Sequence, residues 1–174
     1  MSSKFEVKLS KLINEFELET LNSPECLEDV IVNSADVNRP GLHFADFYDY
    51  FDKERIQIIG LSEITYLDQI PKKEVEACID KFFSHLPVCV IITRDLPVSD
   101  IMIAKAKMYE VPLFKTSNNT SEFIAALIAT LNVELAPRIT RHGVLVEVYG
   151  EGLLLFGESG VGKSETAIEL IKRG

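Results

Sequence analysis

Leu9, Leu12, Ile13 and Phe16 recur at i, i+3, i+4 and i+7, which predicts an amphipathic first helix behind a short strand over residues 5–7. A second strand is expected at 30–32, then a loop over 33–41. The aromatic positions Phe44, Phe47, Tyr48, Tyr50 and Phe51 have the spacing of a helix or turn packed on a core. Residues 55–59 predict a strand, and Ser62 with Glu63 predicts a helix start. Pro71 suits the first turn of a helix that carries Val75, Cys78, Ile79, Phe82 and Phe83 on one side. The unbroken apolar run over 88–92 predicts a strand apolar on both faces, the kind that lies inside a helix-covered parallel sheet. A helix over 99–109, a strand over 112–114 and a helix through Phe123, Ile124, Leu127, Ile128 and Leu131 continue the alternation. The expected class is α/β, an open domain with a mainly parallel sheet.

The alternation breaks near Asn132. Residues 144–149 and the apolar run ending at Phe156 read as two strands of a hairpin joined through Gly150-Glu151-Gly152. The expected division is a domain over 1–132, a linker over 133–141 and the start of a second domain over 142–174. No internal repeat or low-complexity segment interrupts it.

The hairpin leads into Gly157-Glu158-Ser159-Gly160-Val161-Gly162-Lys163-Ser164, which satisfies G-x-x-x-x-G-K-[S/T]. Converging backbone N–H groups on phosphate oxygens requires conformations and close approach that side chains obstruct, and glycine permits both. Lys163 can neutralise a β or γ phosphate, and the Ser164 hydroxyl can coordinate a Mg²⁺ that bridges phosphates. Residues 165–171 predict a helix with Ala167, Leu170 and Ile171 on one face, whose N-terminus adds to the attraction, and Lys172, Arg173 and Gly174 supply its end.

Composition narrows the field. The 174 residues carry 18 basic and 27 acidic side chains, a net charge of −9 that disfavours nucleic acid and anionic membrane surfaces as partners. No apolar run approaches a membrane span and the polar start Met1-Ser2-Ser3-Lys4 is unlike a signal peptide, so a cytoplasmic location is expected. Cys26, Cys78 and Cys89 form no C-x-x-C pair, and Cys78 and Cys89 sit where buried thiols pack as small hydrophobes. His43 and His85 lack metal-ligand spacing. Arg94-Asp95, after an apolar strand, reads as a solvated charge pair or as a site at the carboxyl end of a sheet.

These residues together carry a resemblance. "APRITRHGVLVEVYGEGLLLFGESGVGKSETAIELIKRG", 136–174, resembles the start of the catalytic domain of bacterial HPr kinase/phosphorylases, where a His-Gly-Val-Leu-Val hairpin leads into the P-loop. "GLHFADFYDYFDKERIQIIGLSEITYL", 41–67, and "VPLFKTSNNTSEFI", 111–124, resemble that family's N-terminal domain. The resemblance implies a protein-serine kinase that phosphorylates HPr, the small phosphocarrier protein of the sugar phosphotransferase system, with ATP or pyrophosphate. It also implies removal of that phosphate by phosphorolysis, a link to catabolite repression, and assembly as a homohexamer. Carried over by residue, it implies that 157–164 hold the nucleotide or pyrophosphate, that Lys163 binds phosphate, that Ser164 contacts Mg²⁺, and that His142 is the active-site histidine.

The family's acid/base aspartate pair lies on a strand beyond the P-loop helix, and residues 1–174 hold no counterpart. An incomplete catalytic domain with little or no turnover is therefore expected, its hairpin and helix exposing an apolar face that leaves 137–174 poorly ordered or paired with another copy. Two other readings stay open. One is a different P-loop kinase or NTPase; the other is a regulatory or oligomerisation module with a vestigial loop.

Overall fold

The computed structural model describes residues 5–173. The expectations placed on residues 1–4 and on Gly174 lie outside the described residues. The chain forms two compact units, Met1–Ala136 and Pro137–Gly174.

The first unit is built on a five-stranded sheet with strand order β2-β7-β6-β5-β4. These strands are β2 (Glu19–Asn22), β4 (Val37–Asn38), β5 (Ile56–Ile59), β6 (Val90–Ile92) and β7 (Leu113–Lys115). β4, β5, β6 and β7 run parallel, with Ile58 opposite Ile91 and Ile91 opposite Phe114, and β2 joins antiparallel on β7. A separate short pair, β1 (Val7–Lys8) and β3 (Ile31–Val32), is antiparallel.

Side chains alternate across the sheet and divide the core in two. Ile56, Ile58, Ile91 and Phe114 pack with Leu9 and Leu12 of α1 (Leu9–Glu15) and with Phe123, Leu127 and Leu131 of α6 (Thr120–Glu134). Ile59, Val90, Ile92 and Leu113 face the opposite layer. There they meet Phe44 of the four-residue α2 (Gly41–Phe44), Leu67 of α3 (Leu61–Gln69), Ile79, Phe82 and Phe83 of α4 (Lys72–Ser84), and Met102 and Ala106 of α5 (Asp100–Met108). Both faces of β5 and β6 are therefore buried, as the unbroken apolar run over 88–92 predicts for β6.

Several details differ from the sequence reading. The Glu-Thr-Leu-Asn of β2 has no apolar alternation to predict a strand; its pairing with β7 creates one. The expected loop over 33–41 contains β4, two residues held by parallel pairing to Ile56 and Gln57. The expected linker at 133 begins inside α6, which runs to Glu134. The aromatic segment is split: Phe44 is buried, whereas Tyr50 is 84% exposed.

In the second unit, β8 (Gly143–Val148) and β9 (Glu151–Phe156) form an antiparallel hairpin in continuous register from Gly143↔Phe156 to Val148↔Glu151. The turn is Tyr149-Gly150, at φ +54° and +80°, in place of the expected Gly150-Glu151-Gly152. Positive φ at both central residues matches the twist of the flanking strands, which lets a two-residue turn close this hairpin. Helix α7 (Lys163–Arg173) packs Ala167 and the strand residue Val146 into a small core. Tyr149 Oη donates to the Arg173 carbonyl at 3.1 Å, tying the turn to the end of the helix. Leu145, Leu154, Phe156 and Ile171 remain exposed, the apolar face expected of a hairpin and one helix.

Candidate functional site

Strand β9 ends at Phe156, and the six residues 157–162 return the chain into α7 at Lys163. Gly160 and Gly162 adopt φ +85° and +89°, a region L side chains enter only with strain, so these two glycines set the loop's shape. Thr166 N–H donates to the Gly162 carbonyl at 2.9 Å and the Thr166 hydroxyl reaches the same oxygen at 2.9 Å. That bond opens the helix and leaves the N–H groups of Lys163, Ser164 and Glu165 without intrahelical acceptors.

Lys163 Nζ donates to the carbonyls of Gly157, at 2.9 Å, and Glu158, at 2.6 Å. The ammonium is thus tied to the start of its own loop. A cavity of about 300 Å³ opens beside it, lined by Leu154, Leu155, Phe156, Val161, Lys163 and Thr166. Backbone N–H groups without intrahelical acceptors, a helix N-terminus and a lysine ammonium are the groups an oxyanion of phosphate size would require. Ser164 stands exposed at the second position of α7, where a hydroxyl can reach a cation bound to such an anion.

His142 immediately precedes β8 and is exposed. Because Gly143 pairs with Phe156, the next positions outward on the two strands are His142 and Gly157. Antiparallel register therefore brings a histidine 15 positions upstream to the first glycine of the loop. Glu158, Ser159 and Val161 lie exposed on the loop itself. The Thr166 hydroxyl and the Tyr149 tie to α7 carried no motif; only their distances to Gly162 and Arg173 reveal them.

The residues present are of the kind a phosphate group requires, with Gly160 and Gly162 in the left-handed region and the Lys163 ammonium bonded to the carbonyls of Gly157 and Glu158. Among the described residues, no cluster of three or more His, Cys, Asp or Glu side chains could hold a metal by itself, so a divalent cation at this loop would need phosphate oxygens for most of its ligands. No helix of the described residues is long and apolar enough to cross a membrane. Arg94 and Asp95, both exposed at φ +64° and +53°, donate backbone N–H bonds to the carbonyls of Asn118 and Thr116, and Asp95 pairs with Lys115 at 2.6 Å.

Comparison with known proteins places this geometry in context. Residues 7–131 match the family described as HPr Serine kinase N terminus, and residues 133–174 match the HPr Serine kinase C-terminal domain. The HPr kinase/phosphorylase of Caldicellulosiruptor bescii is 45% identical over 170 residues, which is 98% of this chain and 55% of that protein. That of Caldanaerobacter subterraneus is 46% identical over 168 residues, 97% of this chain and 55% of the relative. The chain thus spans about half the length of the curated relatives it matches. Among solved structures, the CBS and DRTGG domains of the regulatory region of a Clostridium perfringens pyrophosphatase, complexed with the activator diadenosine tetraphosphate, align with TM-score 0.51 at 14% identity. The alignment covers 74% of this chain and 50% of that one, and the likeness is one of fold. With both of its units matched in order along nearly the whole length, the chain belongs to the HPr serine kinase family.

Proposed function

We propose that this chain carries the phosphoryl-donor site of a kinase/phosphorylase that phosphorylates a serine of HPr and removes the phosphate by phosphorolysis. The donor is ATP or pyrophosphate with Mg²⁺. The observation that carries the reading is the Lys163 ammonium tied to the start of a glycine loop that leads into a helix. Lys163 and the N–H groups of 162–165 bind and orient the donor's terminal phosphates, with Gly157, Glu158, Ser159, Gly160 and Val161 shaping the loop. Ser164 supplies the protein's hydroxyl to Mg²⁺. His142, one residue before the Gly143–Phe156 pair that ends the hairpin ladder, contributes the active-site imidazole on the acceptor side. When bound, ATP or pyrophosphate would supply the transferable phosphoryl group, and Mg²⁺ with Lys163 would neutralise the negative charge on it.

Donor binding is the property that residues 1–174 supply in this reading, and the family's acid/base aspartate pair has no counterpart among them. Family membership supports a cytoplasmic homohexamer for the whole protein and a role in carbohydrate regulation.

Calorimetric titration of this chain with Mg²⁺-pyrophosphate and Mg²⁺-ATP tests the reading, with Lys163→Ala as control. Saturable binding lost in the variant is the expected result. Binding that survives Lys163→Ala unchanged would place the donor elsewhere, and substantial HPr phosphorylation by the 174-residue chain would refute the need for the aspartates.

A further inference from the structure

A chain of hydrogen bonds in the first unit determines which nitrogen of His43 carries its proton. Gln57, fully buried in β5, donates through Nε2 to the carbonyls of Asp52, at 3.2 Å, and Arg55, at 3.1 Å. Carbonyls only accept, so the Gln57 amide is fixed with Oε1 toward Asn38. Asn38 Nδ2 donates to that oxygen at 2.9 Å, which fixes the second amide, and the same Nδ2 lies 3.3 Å from His43 Nδ1. Facing an amide NH₂, Nδ1 is the acceptor, and the neutral ring is protonated on Nε2.

His43 is only 7% exposed. Its ring packs against Tyr48 at 5.3 Å and Phe51 at 5.0 Å, and Tyr48 stacks on His85 at 4.2 Å. His85 is locked in the other tautomer, because its Nδ1 lies 2.8 Å from the Lys81 carbonyl and must donate. A second proton can join His85 on Nε2 without disturbing that bond. His43 has no such freedom.

The titratable groups around His43 are Asp46 and Tyr48 on its own segment, Tyr66 on α3, Glu74, Cys78 and Lys81 on α4, and His85 just after α4. None of the carboxylates hydrogen-bonds the ring among the described residues, and Asp46 is engaged by Lys81. Burial first, then His85, holds the His43 pKa below the ordinary histidine value.

We propose that His43 is an acid-sensitive latch on the segment between β4 and β5. A proton on Nδ1 sets donor against donor at Asn38, which Gln57 holds in place, and releases the turn that carries Phe44, Phe47, Tyr48 and Phe51. The amides of Asp46 and Phe47, bonded to the carbonyls of His43 and Leu42 at 3.0 Å each, report that release.

Imidazole ¹⁵N spectra at pH 7.5 and amide hydrogen exchange at pH 7.5 and 5.5 test the proposal. His43 is expected to show an unprotonated Nδ1 and a protonated Nε2, with His85 the reverse. After correction for the intrinsic rate, Asp46 and Phe47 lose roughly tenfold in protection at the lower pH. The loss disappears in His43→Gln, whose Oε1 keeps an acceptor toward Asn38, and persists in His85→Gln. A neutral His43 protonated on Nδ1 overturns the proposal, as does an equal loss in wild type and His43→Gln, or no loss in wild type. The tautomer measurement needs no variant and stands even where a substitution perturbs folding.

Discussion

Glu63 accepts the Arg39 guanidinium at 2.8 Å and, on the same Oε2 atom, the backbone N–H of Gly60 at 2.9 Å. The carboxylate, 5% exposed, ties the end of β4 to the start of α3. Removing the guanidinium leaves a buried charge with one backbone donor. Arg39→Ala is expected to destabilise the chain by about 2 kcal/mol, and Glu63→Gln by less, because the amide oxygen still accepts from Gly60. Urea unfolding of the two variants checks the order.

Gly60 permits a close approach. A Cβ there would stand 2.8 Å from Thr120 Oγ1 and 3.3 Å from Arg39, although its φ of −119° is open to any residue. Thr120 is itself held at 2.7 Å by Thr93, whose hydroxyl lies 3.2 Å from the Ile59 carbonyl, so it yields poorly. Gly60→Ala is expected to cost about 1–3 kcal/mol. Adding Thr120→Ala removes the clashing atoms, so the double variant loses less than the two single losses added together.

In the loop at the end of β9, Gly162→Ala places a Cβ at φ +89°. The strain is about 1–2 kcal/mol, relieved by a rotation that turns the loop N–H groups away. Weaker calorimetric binding of Mg²⁺-pyrophosphate is expected, with the far-ultraviolet spectrum unchanged. Undiminished binding would show that the left-handed glycine is dispensable.

The thiols differ in reactivity for a physical reason. Burial, and then the Asp46 charge, pushes Cys78 up to about 11, and burial alone pushes Cys89 up further. Neither forms thiolate at pH 8, whereas Cys26 is exposed. Titration with a thiol-reactive disulfide in native buffer is expected to consume one thiol quickly, and all three after unfolding.

His43 also sets a pH dependence of stability. Its folded pKa lies below the unfolded value of about 6.5, so its contribution is fully present above that pH and is lost as pH falls through the folded value. Unfolding free energy therefore rises with pH across this window. The His43→Gln variant should show a shallower slope in urea titrations between pH 5.5 and 7.5; an unchanged slope assigns the dependence to other groups.

Much of this molecule was legible along the chain. The run 88–92, the stripe of α4 and the G-x-x-x-x-G-K-S spacing each depend on local periodicity or on backbone freedom, so central strands, covering helices and the glycine loop between β9 and α7 could be read without coordinates. β2 and β4 could not, because the partners of β2 lie 91 to 96 positions away and those of β4 lie 19 positions away, and a two-residue strand such as β4 has no period of its own. Tertiary structure also decided what stands beside what. Antiparallel register aligns His142 with Gly157, while Gln57, Asn38 and His43, from three elements, impose one tautomer on a buried ring. Periodicity reports which face a residue occupies; only long-range pairing and hydrogen-bond direction determine the neighbour it meets there.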